Sequence, residues 1–249
     1  MSETKNIRLI MQYEGANYHG WQRQKDEVTI QELVEDKLRI MTGRPVAVYA
    51  SGRTDSGVHA LHQVCNFLTE TKIPPESIKN GLNSLLPNDI YISKAEYAEP
   101  GFHSRYSAKS KSYEYRILNA RDIDIFLSRY VWHIKDDLNF DEMRKCLSLL
   151  TGKHDFTAFR SSGTSNVNPV REIFRAELTE THEDGTVRFY FEAEGFLKHM
   201  VRNIVGTIVD AGKGKITSRE FQEIIESKDR KRAGYKAPPQ GLFLTMVKY

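Results

Sequence analysis

The sequence predicts an α+β fold of two ferredoxin-like (split βαβ) halves, whose strands form one continuous, mostly antiparallel sheet with helices packed on it. Three observations predict this fold. Short segments alternate apolar and polar residues as strands do, and the segments between them repeat apolar residues at helical spacing. Their order is β-α-β-β-α-β, and the same order occurs twice. We therefore expect an N-terminal half of residues 1–104 and a C-terminal half of residues 105–249.

Four segments of the first half have the alternation expected of strands: residues 7–15, 46–52, 62–69 and 90–97. Residues 29–32 match a capping box, which predicts the start of a helix that Gly43 ends. Pro74 and Pro75 predict the start of a second helix. The buried face expected of that helix consists of Ile78, Leu82 and Leu85.

The second half is predicted to contain strands at residues 113–118, 171–181, 186–194 and 242–247. Its predicted helices lie near residues 139–151, 200–208 and 218–228. Asn139 and Glu142 match a second capping box. The sequence Glu183-Asp184-Gly185 predicts a hairpin turn between two of the strands.

The basic residues are more informative by position than by number. The formal net charge of +3 is too small to indicate a nucleic-acid partner by itself. Several basic residues lie close in sequence to Tyr106, Tyr113 and Tyr115. Along the whole chain the basic residues fall in four groups, of which the first adjoins these tyrosines: Lys109, Lys111 and Arg116; Arg160 and Arg171; Lys198 and Arg202; and Lys228, Arg230, Lys231, Arg232 and Lys236. We expect these groups to form an RNA-facing surface.

The cysteines and the apolar segments predict the cellular compartment. Cys65 and Cys146 lie far apart in the sequence, so neither a disulfide framework nor a paired zinc motif is predicted. Cys146 shares an apolar stripe with Met143 and Leu147 and is expected in the core. No segment is long enough to cross a bilayer, and the N-terminus has no secretory signal pattern. These features predict a cytoplasmic protein with no membrane contact.

One loop carries the strongest functional signal. Residues 51–60 read SGRTDSGVHA and lie between two predicted strands. Gly52 and Gly57 permit backbone conformations with positive φ, so the loop can turn tightly and present Asp55. Arg53 can hold an anionic group such as a phosphate. A carboxylate in this setting can act as a nucleophile or as a base.

This loop and four further motifs resemble the tRNA pseudouridine synthase A (TruA) family, whose usual form of the loop is G-R-T-D-A-G-V-H. The further motifs are residues 18–24, 111–115, 199–206 and 241–244. They occur in the family's order and cover the length of the chain. The chain departs from the family pattern at Ser56, where Ala is usual, and at Lys198, where His is often found. Neither departure touches Asp55, and the second one bears on contacts with RNA.

The resemblance implies a pseudouridine synthase fold and an isomerase that needs no cofactor and no metal ion. Such an enzyme converts uridine to pseudouridine at positions 38, 39 and 40 of the tRNA anticodon stem-loop. It acts as a homodimer, with tRNA lying across both subunits. By the resemblance Asp55 is the nucleophile. The sequence leaves open whether Asp55 attacks C1′ of the sugar, attacks C6 of the base or removes a sugar proton.

The resemblance also implies roles for other site residues. Arg202 matches the arginine that pairs with the catalytic carboxylate, Tyr113 matches the tyrosine that stacks on the target base, and Leu242 matches an aliphatic residue of the uracil pocket. Arg53 is expected to hold a phosphate or to fill the space left by the flipped base. Three more residues are expected to contact the substrate: Arg23, His59 and Lys198. Bracing of the Asp55 loop is the other role open to Arg23.

Two other functions remain open from the residues alone. A non-catalytic RNA-binding protein on a tandem ferredoxin-like scaffold is one, although the chain lacks the strand signature of RRM domains. Asp55→Asn separates this alternative from an enzyme: loss of turnover with retained tRNA binding favours the enzyme, whereas turnover that persists makes the assignment of Asp55 as nucleophile wrong. A metal-dependent phosphohydrolase would use Asp55, His59 and His62 as ligands, but their spacing is loose for a metal site. Strict metal dependence of activity would identify it.

Overall fold

The computed structural model describes residues 4–161, 168–179 and 186–249. These residues form two compact units. One contains the described residues up to Lys109 together with Phe243–Tyr249, and the other contains the described residues from Ser110 to Leu242. In the described part of the chain, no helix combines the length and the apolar character that crossing a membrane requires.

The secondary structure alternates strands and helices along the chain. The described strands are β1 (Lys5–Tyr13), β2 (Tyr49–Ala50), β3 (His59–Thr69), β4 (Ile90–Ala98), β5 (Ser110–Asn119), β6 (Trp132–Ile134), β7 (Gly152–Asp155), β8 (Val170–Thr179), β9 (Thr186–Ala193) and β10 (Leu242–Lys248). The described α-helices are α1 (Ile30–Thr42), α2 (Pro75–Leu85), α3 (Phe140–Ser148), α4 (Met200–Gly212) and α5 (Ser218–Ser227).

The sheet of the first unit has the strand order of a split βαβ unit. β1 pairs antiparallel with β4 on one side and with β3 on the other. β3 pairs in turn with β2, which lies antiparallel to it opposite Cys65 and Asn66. It also pairs with β10, which runs parallel to it opposite His59 and Ala60. The element order β-α-β-β-α-β predicted for this half is confirmed.

Helix α1 begins and ends where predicted, but its cap differs. Ile30, Val34 and Leu38 form its buried face, and Gly43 ends it with φ of 73°. The Thr29 side chain makes no capping bond, and its buried Oγ1 has no hydrogen-bond partner in the described structure. The capping box predicted at residues 29–32 is therefore wrong in its chemistry, although the helix does start there.

The strand predicted at residues 46–52 is reduced to the two residues of β2. The backbone of Val48 explains this difference. Its N–H donates to Glu35 Oε1 at 3.0 Å and its carbonyl accepts from Gln31 Nε2 at 3.2 Å, so side chains of α1 bind groups that a strand would offer to its neighbour. On α2, Leu85 is 40% exposed and Leu86 is buried instead, because the chain leaves the helix at Leu86 in an extended conformation.

The sheet of the second unit has the order β5-β9-β8-β7, with every neighbouring pair antiparallel. β6 lies parallel to β5. β6 and β7 are not predicted from the sequence, because three and four residues are too few to show an alternation. The hairpin turn predicted at residues 183–185 lies outside the described residues.

The helices of the second unit lie where they are predicted. Asn139 begins α3, and its Oδ1 accepts from the backbone N–H of Glu142 at 3.0 Å. The Glu142 carboxylate accepts from the backbone N–H of Ser218 rather than closing the predicted box. Cys146 is fully buried in α3, as predicted. The α+β class with mostly antiparallel strand pairing is confirmed, and the division into duplicated halves at residue 104 stays a prediction.

Candidate active site

A buried glutamine supports the start of the loop that carries Asp55. Gln63 on β3 is fully buried. Its Nε2 donates to the carbonyl of Gly52 at 2.9 Å and lies 3.3 Å from the hydroxyl oxygen of Tyr13. Its Oε1 accepts from Ser51 Oγ at 2.7 Å. These bonds fix the first residues of the loop to the sheet.

A second set of bonds holds Thr54, the residue before Asp55. Its Oγ1 lies 2.8 Å from the Tyr13 hydroxyl oxygen, and its carbonyl accepts from the backbone N–H of Trp21 at 3.1 Å. Burial raises the pKa of Tyr13, so its hydroxyl stays neutral. Gly20 lies against the same residues with φ of 85°, and a Cβ there would come within 2.6 Å of the Thr54 carbonyl oxygen. A glycine is therefore required for this close approach.

Asp55 is half-buried on this anchored loop. Its backbone carbonyl accepts from the N–H of Val58 at 3.1 Å, which closes a turn. Gly57 in that turn has φ of 78°, as predicted, whereas Gly52 does not have a positive φ. The loop therefore presents one carboxylate from a backbone that is fixed on both sides.

The two arginines predicted to contact RNA in the first unit, Arg23 and Arg53, are both exposed. Arg23 lies 3.2 Å from Glu32 and 3.4 Å from Glu35, which are both on α1. Its backbone N–H donates to Gln31 Oε1 at 3.1 Å. These bonds brace the segment before α1, and contact of either arginine with RNA stays a prediction.

His59 is buried and packs inside the first unit. Its Nδ1 accepts from the backbone N–H of Gly15 at 3.0 Å. Its ring stacks on Phe243, with 4.6 Å between ring centroids and 21° between planes. These contacts give His59 a positioning role, and its contact with substrate stays a prediction.

The ligand set of the metal-dependent alternative does not converge on β3. His59 and His62 are three residues apart on one strand, so their side chains lie on opposite faces of the sheet. Burial lowers the pKa of His62. The described residues include no group of three or more His, Cys, Asp or Glu side chains that could hold a metal ion. The geometry of β3 therefore gives no support to a metal-dependent phosphohydrolase.

In the second unit, α4 places Arg202 in a buried position. Arg202 is only 6% exposed. Its Nε donates to the carbonyl of Ala237 at 2.8 Å, and its own carbonyl accepts from Ala237 N–H at 3.0 Å. A buried guanidinium is stabilised only by acceptors and negative charges around it. This position therefore suits pairing with a carboxylate.

The contact between α4 and residues 234–237 is unusually close. A Cβ on Gly206 would lie 1.7 Å from the carbonyl oxygen of Tyr235, so only glycine fits there. Next to Arg202, Asn203 Nδ2 donates to the carbonyl of Phe159 at 2.7 Å, and its Oδ1 accepts from Arg230 at 2.9 Å. This packing fixes the helix turn that carries Arg202.

Tyr113 and Leu242 are also largely buried in the second unit. The Tyr113 ring meets Phe196 edge-on, with 5.1 Å between centroids and 87° between planes. Tyr115 lies on the same face of β5, is fully buried, and donates from its hydroxyl to the carbonyl of Pro238 at 2.8 Å. Tyr115 therefore has the core role that the sequence allows for one of this pair, and stacking of Tyr113 on the target base stays a prediction.

Lys198 is exposed just before α4. Its carbonyl accepts from the backbone N–H of Ser161 at 3.2 Å, which fixes the backbone and leaves the ammonium group at the surface. Contact of Lys198 with RNA stays a prediction.

The predicted site residues divide evenly between the two units. The first unit contains Arg23, Arg53, Asp55 and His59, and the second contains Tyr113, Lys198, Arg202 and Leu242. The supporting roles of five residues are not predicted from the sequence, although three of them lie inside the motifs: Tyr13, Gly20, Thr54, Gln63 and Gly206. One signal was visible, because Gln63 is a polar residue within the mostly apolar strand that follows the loop.

The chain matches a family model described as tRNA pseudouridine synthase over residues 9–107 and 147–249. It is 46% identical over 245 residues to a protein of Thermoanaerobacter sp. (strain X514), covering 98% of this chain and 100% of that relative. It is 44% identical to a protein of Clostridium acetobutylicum with the same coverage. Both relatives are described as tRNA pseudouridine synthase A. Among solved structures it is similar to a chain of a Cbf5-Nop10-Gar1 complex, with 11% identity, a TM-score of 0.38, and coverage of 95% of this chain and 57% of that one.

Proposed function

This chain belongs to the tRNA pseudouridine synthase family, and we propose that it isomerises uridine to pseudouridine at positions 38, 39 and 40 of the tRNA anticodon stem-loop. The reaction class follows from the family. The target positions and the roles of single residues are our proposal, and the five matching motifs support it.

The reaction moves one bond and changes no oxidation state. The bond between N1 of uracil and C1′ of the sugar breaks, the base turns, and a bond forms between C5 and C1′. C5 loses its hydrogen as a proton and N1 gains one. A carboxylate is sufficient for this chemistry, because it can form and release a covalent bond or accept a proton. We propose Asp55 as that carboxylate and as the nucleophile.

The support of the Asp55 loop is the observation that carries this proposal. Gln63 and Tyr13 bind the residues just before Asp55 through buried hydrogen bonds, and Gly20 packs against them. A nucleophile gains most when its position is fixed before the substrate arrives. A loop that served only to connect β2 and β3 would not need this support.

The second unit supplies the proposed partners of the reaction. We propose that the Arg202 guanidinium keeps the Asp55 carboxylate ionised, which its buried position supports. Tyr113 is proposed to stack on the target base and Leu242 to line the uracil pocket, and both side chains are held within the unit. Base stacking on an aromatic ring contributes about 1–3 kcal/mol.

The remaining residues are proposed to bind the RNA backbone. Arg53 would hold a phosphate or occupy the space of the flipped base, and its exposure supports this role. Arg23 and Lys198 are exposed cations, whereas His59 would act from a buried position. Recognition of three adjacent positions requires reading of shape and charge more than of sequence. A homodimer in the cytoplasm, with tRNA across both subunits, completes the proposal.

Tritium release tests the proposal. An unmodified tRNA transcript labelled at C5 of uridine releases tritium to water when pseudouridine forms. We expect release from a tRNA with uridines only at positions 38 to 40 in the anticodon arm, and none when those positions are cytidine. Release from the cytidine-substituted tRNA would show that the target positions are wrong.

Asp55→Asn tests the nucleophile, with Asp36→Asn on α1 as the matched control. We expect Asp55→Asn to lower the rate by a factor of about 10³ or more, because amide nitrogen and oxygen cannot replace the carboxylate. Affinity for tRNA should stay within about twofold, since the loop backbone is anchored by other residues. Full activity of Asp55→Asn would exclude Asp55 as the nucleophile, and absence of turnover in the unaltered protein would favour the non-catalytic alternative.

A further inference from the structure

A cluster of exposed aromatic rings lies in the first unit on residues that the proposed reaction does not use. The ring centroids of Tyr49 and His103 are 5.2 Å apart, and those of His103 and Tyr106 are 4.5 Å apart. The Arg105 guanidinium carbon lies 5.7 Å from the centre of the Tyr106 ring. We name these four residues the aromatic platform. Their separations are those of interacting rings and of a cation above a ring.

The two tyrosine rings of the platform are exposed to water, and His103 is half-buried. Tyr106 is 77% exposed and Tyr49 is 46% exposed. Rings at such exposure contribute little apolar burial to folding, since stabilisation scales with the area removed from water. Most of the Tyr106 surface therefore remains available to a ligand.

The backbone under the platform is fixed. Ser104, between His103 and Arg105, is completely buried, and its N–H and Oγ donate to Asn66 Oδ1 at 2.9 and 2.7 Å. The Tyr249 hydroxyl donates to the carbonyl of Ser104 at 2.8 Å. Rings on a fixed backbone lose little conformational freedom when they bind, which favours affinity.

Residues of β3 hold both the platform and the Asp55 loop, through Asn66 and Gln63 respectively. Tyr49 lies on β2 directly opposite Asn66, the residue whose side chain anchors Ser104. The Asp55 loop begins immediately after β2. Tyr49 therefore lies six positions before Asp55 in the chain.

We infer that the aromatic platform is a second RNA-contact site, where an unpaired nucleotide of the tRNA stacks on Tyr106 and a neighbouring phosphate contacts Arg105. This inference rests on the proposed function, because it takes tRNA as the substrate. Exposed aromatic rings beside a guanidinium bind unpaired bases generally, since every base has a π face. Residues 100–109 contain two basic residues and no acidic one, which suits an anionic ligand such as RNA.

Equilibrium binding of an unmodified tRNA transcript tests the inference. Tyr106→Ala is expected to weaken binding about 5- to 150-fold, the range measured for loss of one stacked base. Tyr106→Phe keeps the ring and should stay within about twofold. Tyr91→Ala is the matched control, because Tyr91 is a 53% exposed tyrosine on β4 in the same unit. A fully paired RNA duplex should bind Tyr106→Ala and the unaltered protein equally, since it offers no unpaired base.

Salt dependence separates stacking from charge. Arg105→Gln should reduce the slope of log affinity against log salt by about one, whereas Tyr106→Ala should leave the slope unchanged. Equal tRNA affinity for Tyr106→Ala and the unaltered protein would overturn the inference, as expected if the platform binds another protein instead. An equal loss of duplex binding would also overturn it. If the unaltered protein forms no pseudouridine, the proposed function fails; if it does and Tyr106→Ala binds tRNA normally, only this inference fails.

Discussion

Substitution of Gln63 by leucine tests whether a buried hydrogen-bond network positions the Asp55 loop. Gln63 is fully buried and binds Gly52 and Ser51 at 2.9 and 2.7 Å. Leucine has a similar volume and fills the site, but it neither donates nor accepts a hydrogen bond. The substitution therefore removes the network without opening a large cavity.

The two strong bonds set the size of the effect. The carbonyl of Gly52 and the hydroxyl of Ser51 each lose their bond to the Gln63 amide. Loss of a partner by a buried polar group costs about 1–3 kcal/mol, so the two groups together predict a loss of about 2–6 kcal/mol in the free energy of unfolding. The contact to Tyr13 is long, at 3.3 Å, and Tyr13 keeps its bond to Thr54, so this third contact adds little.

Urea unfolding measures the loss of stability, and tritium release measures the effect on the reaction. We expect kcat to fall about 10²-fold, because a displacement of about 1 Å in a reacting group has that effect. Affinity for tRNA should change little. Gln12→Leu is the control, since Gln12 is an exposed residue on β1. If Gln63→Leu unfolds at the same urea concentration as the unaltered protein and keeps its kcat, the network does not position the loop.

Three further predictions address other parts of the protein. Gly206→Ala should lower the free energy of unfolding by about 1–3 kcal/mol, because the new Cβ meets the Tyr235 carbonyl. Gly101→Ala is the control and should leave that free energy unchanged, because a Cβ there meets nothing within 4 Å. Equal urea midpoints for the two variants would contradict the prediction. Hydrogen bonds from Ser218 lower the pKa of Glu142 from 4.5 to about 2, so its stabilising contribution is complete above pH 4.5 and is lost as the pH falls towards 2. The urea midpoint of Glu142→Gln should therefore lie below that of the unaltered protein at pH 6 and converge with it near pH 2, and a constant difference would refute the assignment. Affinity for tRNA should fall by about 10²-fold or more between 50 and 200 mM salt, and a flat profile would exclude the basic surface.

Local sequence patterns predicted the elements that depend on local interactions. β1, β4 and α4 follow from periodicity, and the Asp55 loop follows from its motif. Predictions from neighbouring residues failed where a residue distant in the sequence binds the same backbone group. β2 is short because side chains of α1 bind the backbone of Val48. The absent cap at Thr29 is a different case, because its buried hydroxyl has no hydrogen-bond partner in the described structure.

The support of the site was beyond reach of these patterns for the same reason. Tyr13, Thr54 and Gln63 form one network although 50 residues separate the first from the last. Gly206 is required because the Tyr235 carbonyl packs on it, and no feature of the helix sequence indicates that neighbour. Candidate catalytic and binding residues can be identified from sequence motifs, whereas the residues that position them are identified only from the folded structure.

A single-turnover experiment with Asp55→Asn determines whether the Asp55 carboxylate carries out the chemical step. Enzyme in excess over C5-tritiated tRNA, at a concentration where binding is saturated, isolates the chemical step from binding and product release. Our account predicts that the Asn variant binds the tRNA normally and releases no tritium above background. Tritium release at the rate of the unaltered protein would contradict it.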